Sequence, residues 1–580
     1  MRGIFARLAI VWRIASPYFS SEDRWPGRIL LAAVIGIELS IVGITVLLNE
    51  WNARFYNALQ DRNWSAFIHQ LGYFCIIAAV YILLAVYQLY LNQWLQIRWR
   101  RWLTAGYLDH WMQGANHYRM QLLGDAADNP DQRISEDIAQ FIALTLSIGL
   151  QLLNSCVTLF SFMVILWSLS AAAPLRAFGI NFDIPGYLFW AALIYACIGT
   201  LFTHLIGRPL IALNFQQQRY EADFRFNLVR VRENSEQIGL LSGENAERHR
   251  LLMRFGNVVA NWLAIMSRQK KLTFFTAGYS QASVVFPFIM VSPAYFANVI
   301  QLGGLMQTAN AFGRVQEALS VFVSLYRSLA EWSAVIERLS GFDQSVAAAR
   351  AVAVTPPVIG VATADTAAVS FKDLIVHLPN GAPLVNASDL SIRPGERVLV
   401  SGPSGAGKST LFRALAGIWP FGAGTITIPK NAKLMLLPQR PYFPIAPLAA
   451  AVAYPAEPGS FAGAHVAEIV SAVGLPDLAA RIEDDGHWNR MLSLGEQHRL
   501  GIARALLHRP DYLFLDEATA SLDEPAEAAL YRLLQQRLPE ATIVSIGHRS
   551  TLAAFHRRRL TLGREGDRFW VREGNLVPAE

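Results

Sequence analysis

Apolar residues in the first part of the chain run in long unbroken stretches, unlike the alternation of a half-buried strand or the stripe of a surface helix. Six stretches, residues 29–48, 71–91, 138–169, 187–206, 274–300 and 302–329, reach the ~20 residues that a helix needs to cross the hydrocarbon of a bilayer. The last of them is the least hydrophobic. Ahead of the first, Ile4, Phe5, Leu8, Val11, Trp12 and Ile14 are interleaved with Arg2, Arg7 and Arg13, which predicts a basic amphipathic helix lying on a membrane surface. A cleaved signal fits less well, because the first long apolar run begins only at Ile29 and no small-residue cleavage pattern follows it.

The polar connections set the expected topology. Arg98, Arg100, Arg101, Arg119 and Arg133 lie between the second and third stretches, and residues 207–271, between the fourth and fifth, carry eleven Lys or Arg. Positive charge gathers on the cytoplasmic side of membrane proteins, so both connections and both termini are expected there. The two connections are too long for turns and read as helices continuing out of the membrane. Pro287 and Pro293 are placed to kink the fifth span, and Gly303 and Gly304 mark a tight external turn into the sixth. Over residues 343–366 the composition shifts to Ala, Val, Thr and Pro with no amphipathic period, which reads as a linker. The expected division is therefore a transmembrane domain over residues 1–342, the linker, and a soluble domain over residues 367–580.

A hydrophobic content of 53% agrees with a membrane protein. The net charge of +6 is spread between apolar stretches and forms no dense basic block, so no nucleic-acid partner is expected. Cys75, Cys156 and Cys197 fall inside apolar stretches at spacings that match neither a disulfide framework nor a metal site, and are expected as small core residues.

After the linker the pattern becomes α/β. Residues 402–410, GPSGAGKST, fit the phosphate-cradling pattern with Gly402, Gly407, Lys408 and Ser409 in the required places. Glycines let backbone N–H groups turn inward around phosphates, Lys408 supplies a point charge, and the Ser409 hydroxyl is placed for Mg²⁺. Ser404, Gly405 and Thr410 complete the loop, which lies between a buried strand, RVLV, and a helix whose N-terminus faces the anion. A second buried strand, YLFL at residues 512–515, delivers Asp516 and Glu517, where one carboxylate can bind Mg²⁺ through water and the other orient an attacking water. LSLGEQ, residues 492–497, precedes a helix and puts Ser493 and the Gly495 amide at another anion-binding N-terminus.

These elements, in this order, resemble the ATP-binding cassette transporters of the exporter-type half-molecule kind. In the resemblance, 402–409 is the Walker A loop, Gln439 the Q-loop residue, 492–497 the family signature, Asp516 the end of the Walker B strand, Glu517 the catalytic glutamate, 521–523 with Asp523 the D-loop, and His548 the switch histidine. The implied fold is multidomain: an all-α six-helix transmembrane domain followed by an α/β P-loop ATPase domain. NPDQRISED (129–137), RENSEQIGLLSGENAE (232–247), GIWP (417–420) and LPQRPY (437–442), with Tyr454 and Pro455, resemble the branch that holds peroxisomal fatty-acyl transporters and bacterial SbmA/BacA-like proteins; GLMQTANAFGRVQEALS (304–320) resembles the latter side. Two signature positions depart from the usual pattern, Leu494 for glycine and Glu496 for glutamine. The aromatic that usually stacks on adenine is also missing, since residues 374–379 read LIVHLP and offer only the ring of His377.

The resemblance implies ATP and Mg²⁺ as cofactors, with Gln439 joining Ser409 and Asp516 at the metal. It also implies a second copy of the chain as partner, because the family's site is shared between two ATPase domains. The expected function is an ATP-driven transporter in a bacterial inner membrane, with its ATPase domain cytoplasmic, working by alternating access. The expected cargo is peptides or bulky hydrophilic compounds, with fatty-acyl or lipid cargo the alternative within transporters and an ATP-gated channel or receptor the alternative of another class. Glu38, Arg314 and Glu317 fall at membrane depth, where charge is costly. Two readings stand: a Glu38–Arg314 ion pair that locks helix packing, or a hydrated cavity that these residues line with Gln307, Asn310 and Gln316.

Overall fold

The computed structural model describes residues 2–124, 129–172, 175–177, 180–182, 184–566 and 568–574. They form two compact units, one of Met1–Tyr107 with Pro130–Ser340 and the other of Leu108–Asn129 with Gly341–Glu580.

The first unit is helical. Five described helices are long and apolar enough to cross a membrane: Arg24–Gln60, Trp64–Leu122, Pro130–Ala172, Tyr187–Glu233 and Glu244–Phe296. The helix Leu302–Val352, which contains the expected sixth span, is not among them by length and composition. Gln307, Asn310, Arg314, Gln316 and Glu317 dilute its apolar content. At 1.5 Å per residue the 47-residue helix Tyr187–Glu233 is about 70 Å long, more than twice the hydrocarbon thickness. The helices therefore extend beyond the apolar stretches, as the polar connections required. Pro287 and Pro293 lie within the single helix Glu244–Phe296, and Pro209 within Tyr187–Glu233.

Small residues set the close contacts. A Cβ on Gly303 would stand 1.9 Å from the Ala53 carbonyl oxygen, and the Gly303 amide donates to the Asn57 side chain at 2.7 Å. Any larger residue would push the last long helix off the first. Phe162, Leu166, Leu188, Val291, Phe312 and Val315 form the buried centre nearby. Elsewhere in the unit, Asp137 is 1% exposed and accepts from Arg133 at 2.6 Å and from Nη2 and Nε of Arg338, at 2.6 and 2.9 Å.

Two expectations are corrected here. Glu38 is buried, but its partners are amides: Gln88 Nε2 donates to one carboxyl oxygen and Asn154 Nδ2 to the other, the latter at 2.6 Å. Arg314 instead pairs with Glu317 at 3.2 Å on its own helix, so the proposed Glu38–Arg314 lock does not form. Cys75, Cys156 and Cys197 are free and exposed, not core residues. In a bundle that faces lipid the outward positions are as apolar as the inward ones, so apolar neighbours in sequence say nothing about burial.

The second unit is organised by a sheet in which Leu434–Leu437, Tyr512–Asp516, Thr542–Ile546, Arg397–Ser401 and Arg558–Glu565 lie side by side in parallel. Every residue of Tyr512–Asp516 and Thr542–Ile546 is buried, the mark of strands covered on both faces. Arg568–Gly574 returns antiparallel and leads to an outer set containing Val369–His377, Pro383–Asn386, Gly422–Pro429 and Gly360–Ala364. Of the expected linker, residues up to Val352 continue the helix Leu302–Val352, and Gly360–Ala364 is an edge strand paired with Gly422–Pro429. The short helix Asn116–Leu122, the end of the stretch Trp64–Leu122 set off from the rest by the positive φ of Gly114 and Ala115, belongs to this unit. Its Tyr118 and Leu122 pack on the core of the sheet, and Arg119 donates to the Gly417 carbonyl at 3.1 Å.

Candidate functional site

Strand Arg397–Ser401 runs into the glycine-rich loop, and helix Lys408–Leu415 leaves it. Gly402, Gly405 and Gly407 have φ of +152°, +78° and +85°, values that L side chains rarely adopt. A Cβ at Gly407 would also stand 2.5 Å from Val385. The loop thus needs its glycines for backbone shape and for close packing. Thr410 is buried beneath it, and Ser404 is exposed at its rim. Lys408, 6% exposed, reaches back so that its Nζ donates to the carbonyls of Gly402 and Pro403, both at 2.9 Å. Burial pushes its pKa below the ordinary lysine value, against the pull of Glu517 and Asp516.

Ser409 Oγ donates to Asp516 Oδ1 at 2.8 Å, which brings a hydroxyl and a carboxylate from two segments to one point. Burial raises the Asp516 pKa, while the Ser409 hydrogen bond and nearby Arg413 and Lys408 oppose the rise. Both shifts arise because charges are held out of water with incomplete compensation. Beside this pair, Glu517 has φ of +50° and its two carboxyl oxygens face different segments. Gln439 Nε2 donates to one at 3.0 Å, and His548 Nε2 lies 3.3 Å from the other. The structure therefore brings Lys408, Ser409, Gln439, Asp516, Glu517 and His548 together.

Ser493 and Asp523 occupy a different kind of position. Ser493 is the N-cap of helix Leu494–His508 in a reciprocal capping box with Glu496, and Asp523 caps Glu524–Arg537 by accepting from the Ala526 amide at 2.9 Å. The departure at Glu496 thereby has a local reason, because its carboxylate holds both the Ser493 amide and hydroxyl, at 2.8 and 2.7 Å. His377 lies on strand Val369–His377 with its carbonyl accepting from Trp419 at 2.9 Å.

Sequence reasoning passed over two residues here. His498 is 1% exposed and touches both the Gln439 backbone and Ser521. Arg549 follows His548 and donates to the carbonyls of Leu522 and Ala520, at 2.6 and 3.0 Å. The available signal was adjacency, since one adjoins the signature segment and the other the switch histidine.

Residues 14–296 match the family model described as ABC transporter transmembrane region 2, and residues 385–520 match the one described as ABC transporter. An uncharacterized ABC transporter ATP-binding protein of Haemophilus influenzae is 37% identical over 96% of this chain and 92% of its own length. The human lysosomal cobalamin transporter ABCD4 is 26% identical over 80% of this chain and 79% of its own. Among solved structures, a bacterial Atm1-family ABC exporter with ATP bound shares the fold with a TM-score of 0.69, at 18% identity over 93% of this chain and 94% of that one. With its nucleotide site in the second unit and its long apolar helices in the first, the chain belongs to the ATP-binding cassette transporter family, as a membrane-spanning half-transporter joined to its own ATPase.

Proposed function

We propose that two copies of this chain form an ATP-driven transporter that moves peptides or bulky hydrophilic compounds across a bacterial inner membrane. One observation carries the cargo reading. Asn310, Arg314 and Glu317 recur at helical spacing on helix Leu302–Val352 and are exposed, while Ala311, Phe312, Val315 and Ala318 on the other side are buried. A charged face at membrane depth is tolerated against water or protein and not against lipid. Gln307, half-buried, lies along the same face one turn ahead of Asn310, whereas Gln316, also half-buried, lies off it. The relative named for cobalamin, a bulky hydrophilic molecule, agrees with this reading.

In the proposed cycle the backbone of Gly402, Ser404, Gly405, Gly407 and Thr410 and the Lys408 ammonium hold the triphosphate. Oxygen donors of the kind that suit Mg²⁺ meet at Ser409 and Asp516, with the Gln439 side chain beside them. The metal would supply charge neutralisation for the β- and γ-phosphates there. Glu517 accepts the proton of the attacking water, and His548 and Gln439 fix the direction of its carboxylate. Ser493, Gly495 and Asp523 of the partner copy complete the site, and separation of the ATPase domains after hydrolysis turns the membrane helices to the other side.

The experiment is uptake of an antimicrobial peptide, and of cobalamin, by cells lacking and expressing the chain. Expression should raise uptake of at least one of them, and Glu517→Gln should remove the difference while retaining ATP binding; Lys408→Ala should lose binding too. Stimulation of the purified ATPase by long-chain acyl-CoA, with no response to either hydrophilic cargo, would establish the lipid reading instead.

A further inference from the structure

Both segments that touch the Glu517 carboxylate have a second tie, and both ties end on residues 520–522. The Gln439 segment is tied through His498: its Nε2 lies 2.9 Å from the Gln439 carbonyl oxygen, and its Nδ1 lies 2.6 Å from Ser521 Oγ. A carbonyl only accepts, so Nε2 carries the proton, and in the neutral ring Nδ1 then accepts from the Ser521 hydroxyl. The His548 segment is tied through Arg549, which donates to the carbonyls of Ala520 and Leu522. The loop is closed at its base by the Ala520 amide, which donates to the Glu517 carbonyl at 3.0 Å. The imidazole is buried in the helix Leu494–His508, which keeps it from following any one of these segments alone.

We propose that His498 is a positioning residue for ATP hydrolysis, joining the Gln439 segment to the Ser521 loop so that displacement of that loop alters the contact on Glu517. His498 touches neither Glu517 nor the phosphate loop in this network. It acts through Gln439, whose backbone it holds and whose side chain meets the carboxylate. Its two nitrogens do different work, one donating and one accepting, and a glutamine side chain offers the same donor and acceptor pair. Leucine fills similar space with neither.

The inference rests on the reading of Glu517 as the base, and steady-state hydrolysis by the full-length chain in nanodiscs separates the two. His498→Leu should lower kcat about tenfold with KM for ATP within about twofold, as expected when a positioning contact is lost and ground-state binding is kept. His498→Gln should return kcat to within about twofold of the parent. In a Ser521→Ala background, itself slower than the parent, His498→Leu should cost less than it does alone, because the two act through one link. Parental kcat in His498→Leu or in Ser521→Ala, or a glutamine variant as slow as the leucine one, overturns the proposal. If His498→Leu does not fold, Ser521→Ala, on an exposed side chain, decides the question. Parental hydrolysis by Glu517→Gln removes the reading of the base, whereas an inactive Glu517→Gln beside an unimpaired His498→Leu removes only this inference.

Discussion

Asp516 is a carboxylate held where burial disfavours its charge, and its raised pKa has a consequence for stability. The folded state holds the proton more tightly than the unfolded chain does. Stability of the nucleotide-free protein therefore falls as pH rises from the ordinary aspartate value through the raised one, and above that window the whole cost is present. Asp516→Asn removes this cost and leaves a carbonyl oxygen for Ser409 to donate to. It should raise the Tm of the nucleotide-free chain at neutral pH by about 2–4 °C and abolish the additional stabilisation by ATP with Mg²⁺. Calorimetry with and without nucleotide measures both, and a lower Tm for the variant would show that Asp516 is already compensated. At this scale the residues of each contiguous motif were legible, because spacing alone identifies the glycine-rich loop and the strand that ends at Asp516. The contacts of His498 and Arg549 were not legible, since each joins segments far apart in the chain.

Among elements, the joint between helix Ile138–Ala172 and helix Leu302–Val352 adds ionic contacts to an apolar cluster in which Ile148 packs with Val321 and Leu325. Arg133 and Asp137 lie in the π-helical turn Arg133–Asp137 that leads into the first helix, and Arg338 reaches Asp137 from the second. The Asp137 and Arg133 side chains are 2% and 9% exposed, so neither can turn to water if the other is lost. Breaking a buried pair by removing one member typically costs about 3–5 kcal/mol, more than the pair gains over an apolar replacement. Asp137→Asn should therefore unfold at distinctly lower temperature and open helix Leu302–Val352 to protease near Arg338, while Glu317→Gln, on an exposed pair, should change Tm little. Equal Tm values for the two variants would mean that water already reaches the Asp137 cluster. The presence of these helices could be read from uninterrupted apolar stretches, and the buried strands from YLFL and its neighbours. The partners of Glu38 could not, because hydropathy places a carboxylate at a depth without saying which of several helices faces it.

For the whole molecule, the half-transporter fold implies a dimer, and Gly495 offers a way to ask whether its ATP sites are shared. A Cβ at Gly495 would meet its nearest neighbour, Leu522, at 3.4 Å, an ordinary contact, and its φ is not in the left-handed range. Aspartate therefore fits there within its own chain, in the first turn of helix Leu494–His508, where a carboxylate agrees with the helix dipole. Gly495→Asp should fold, and should fail only where that N-terminus must face another molecule's phosphate. Lys408→Ala disables the phosphate loop of its own chain. If each site combines the phosphate loop of one copy with the Ser493–Gly495 segment of the other, dimers of either variant alone have no intact site. A mixed dimer has both lesions in one site and leaves the other whole. With random pairing half the dimers are mixed, so equal co-expression should recover up to about one quarter of parental hydrolysis and of vanadate-trapped nucleotide. Sites contained within single chains predict no recovery by either measure, and the two variants in one chain, co-expressed with themselves, supply the baseline.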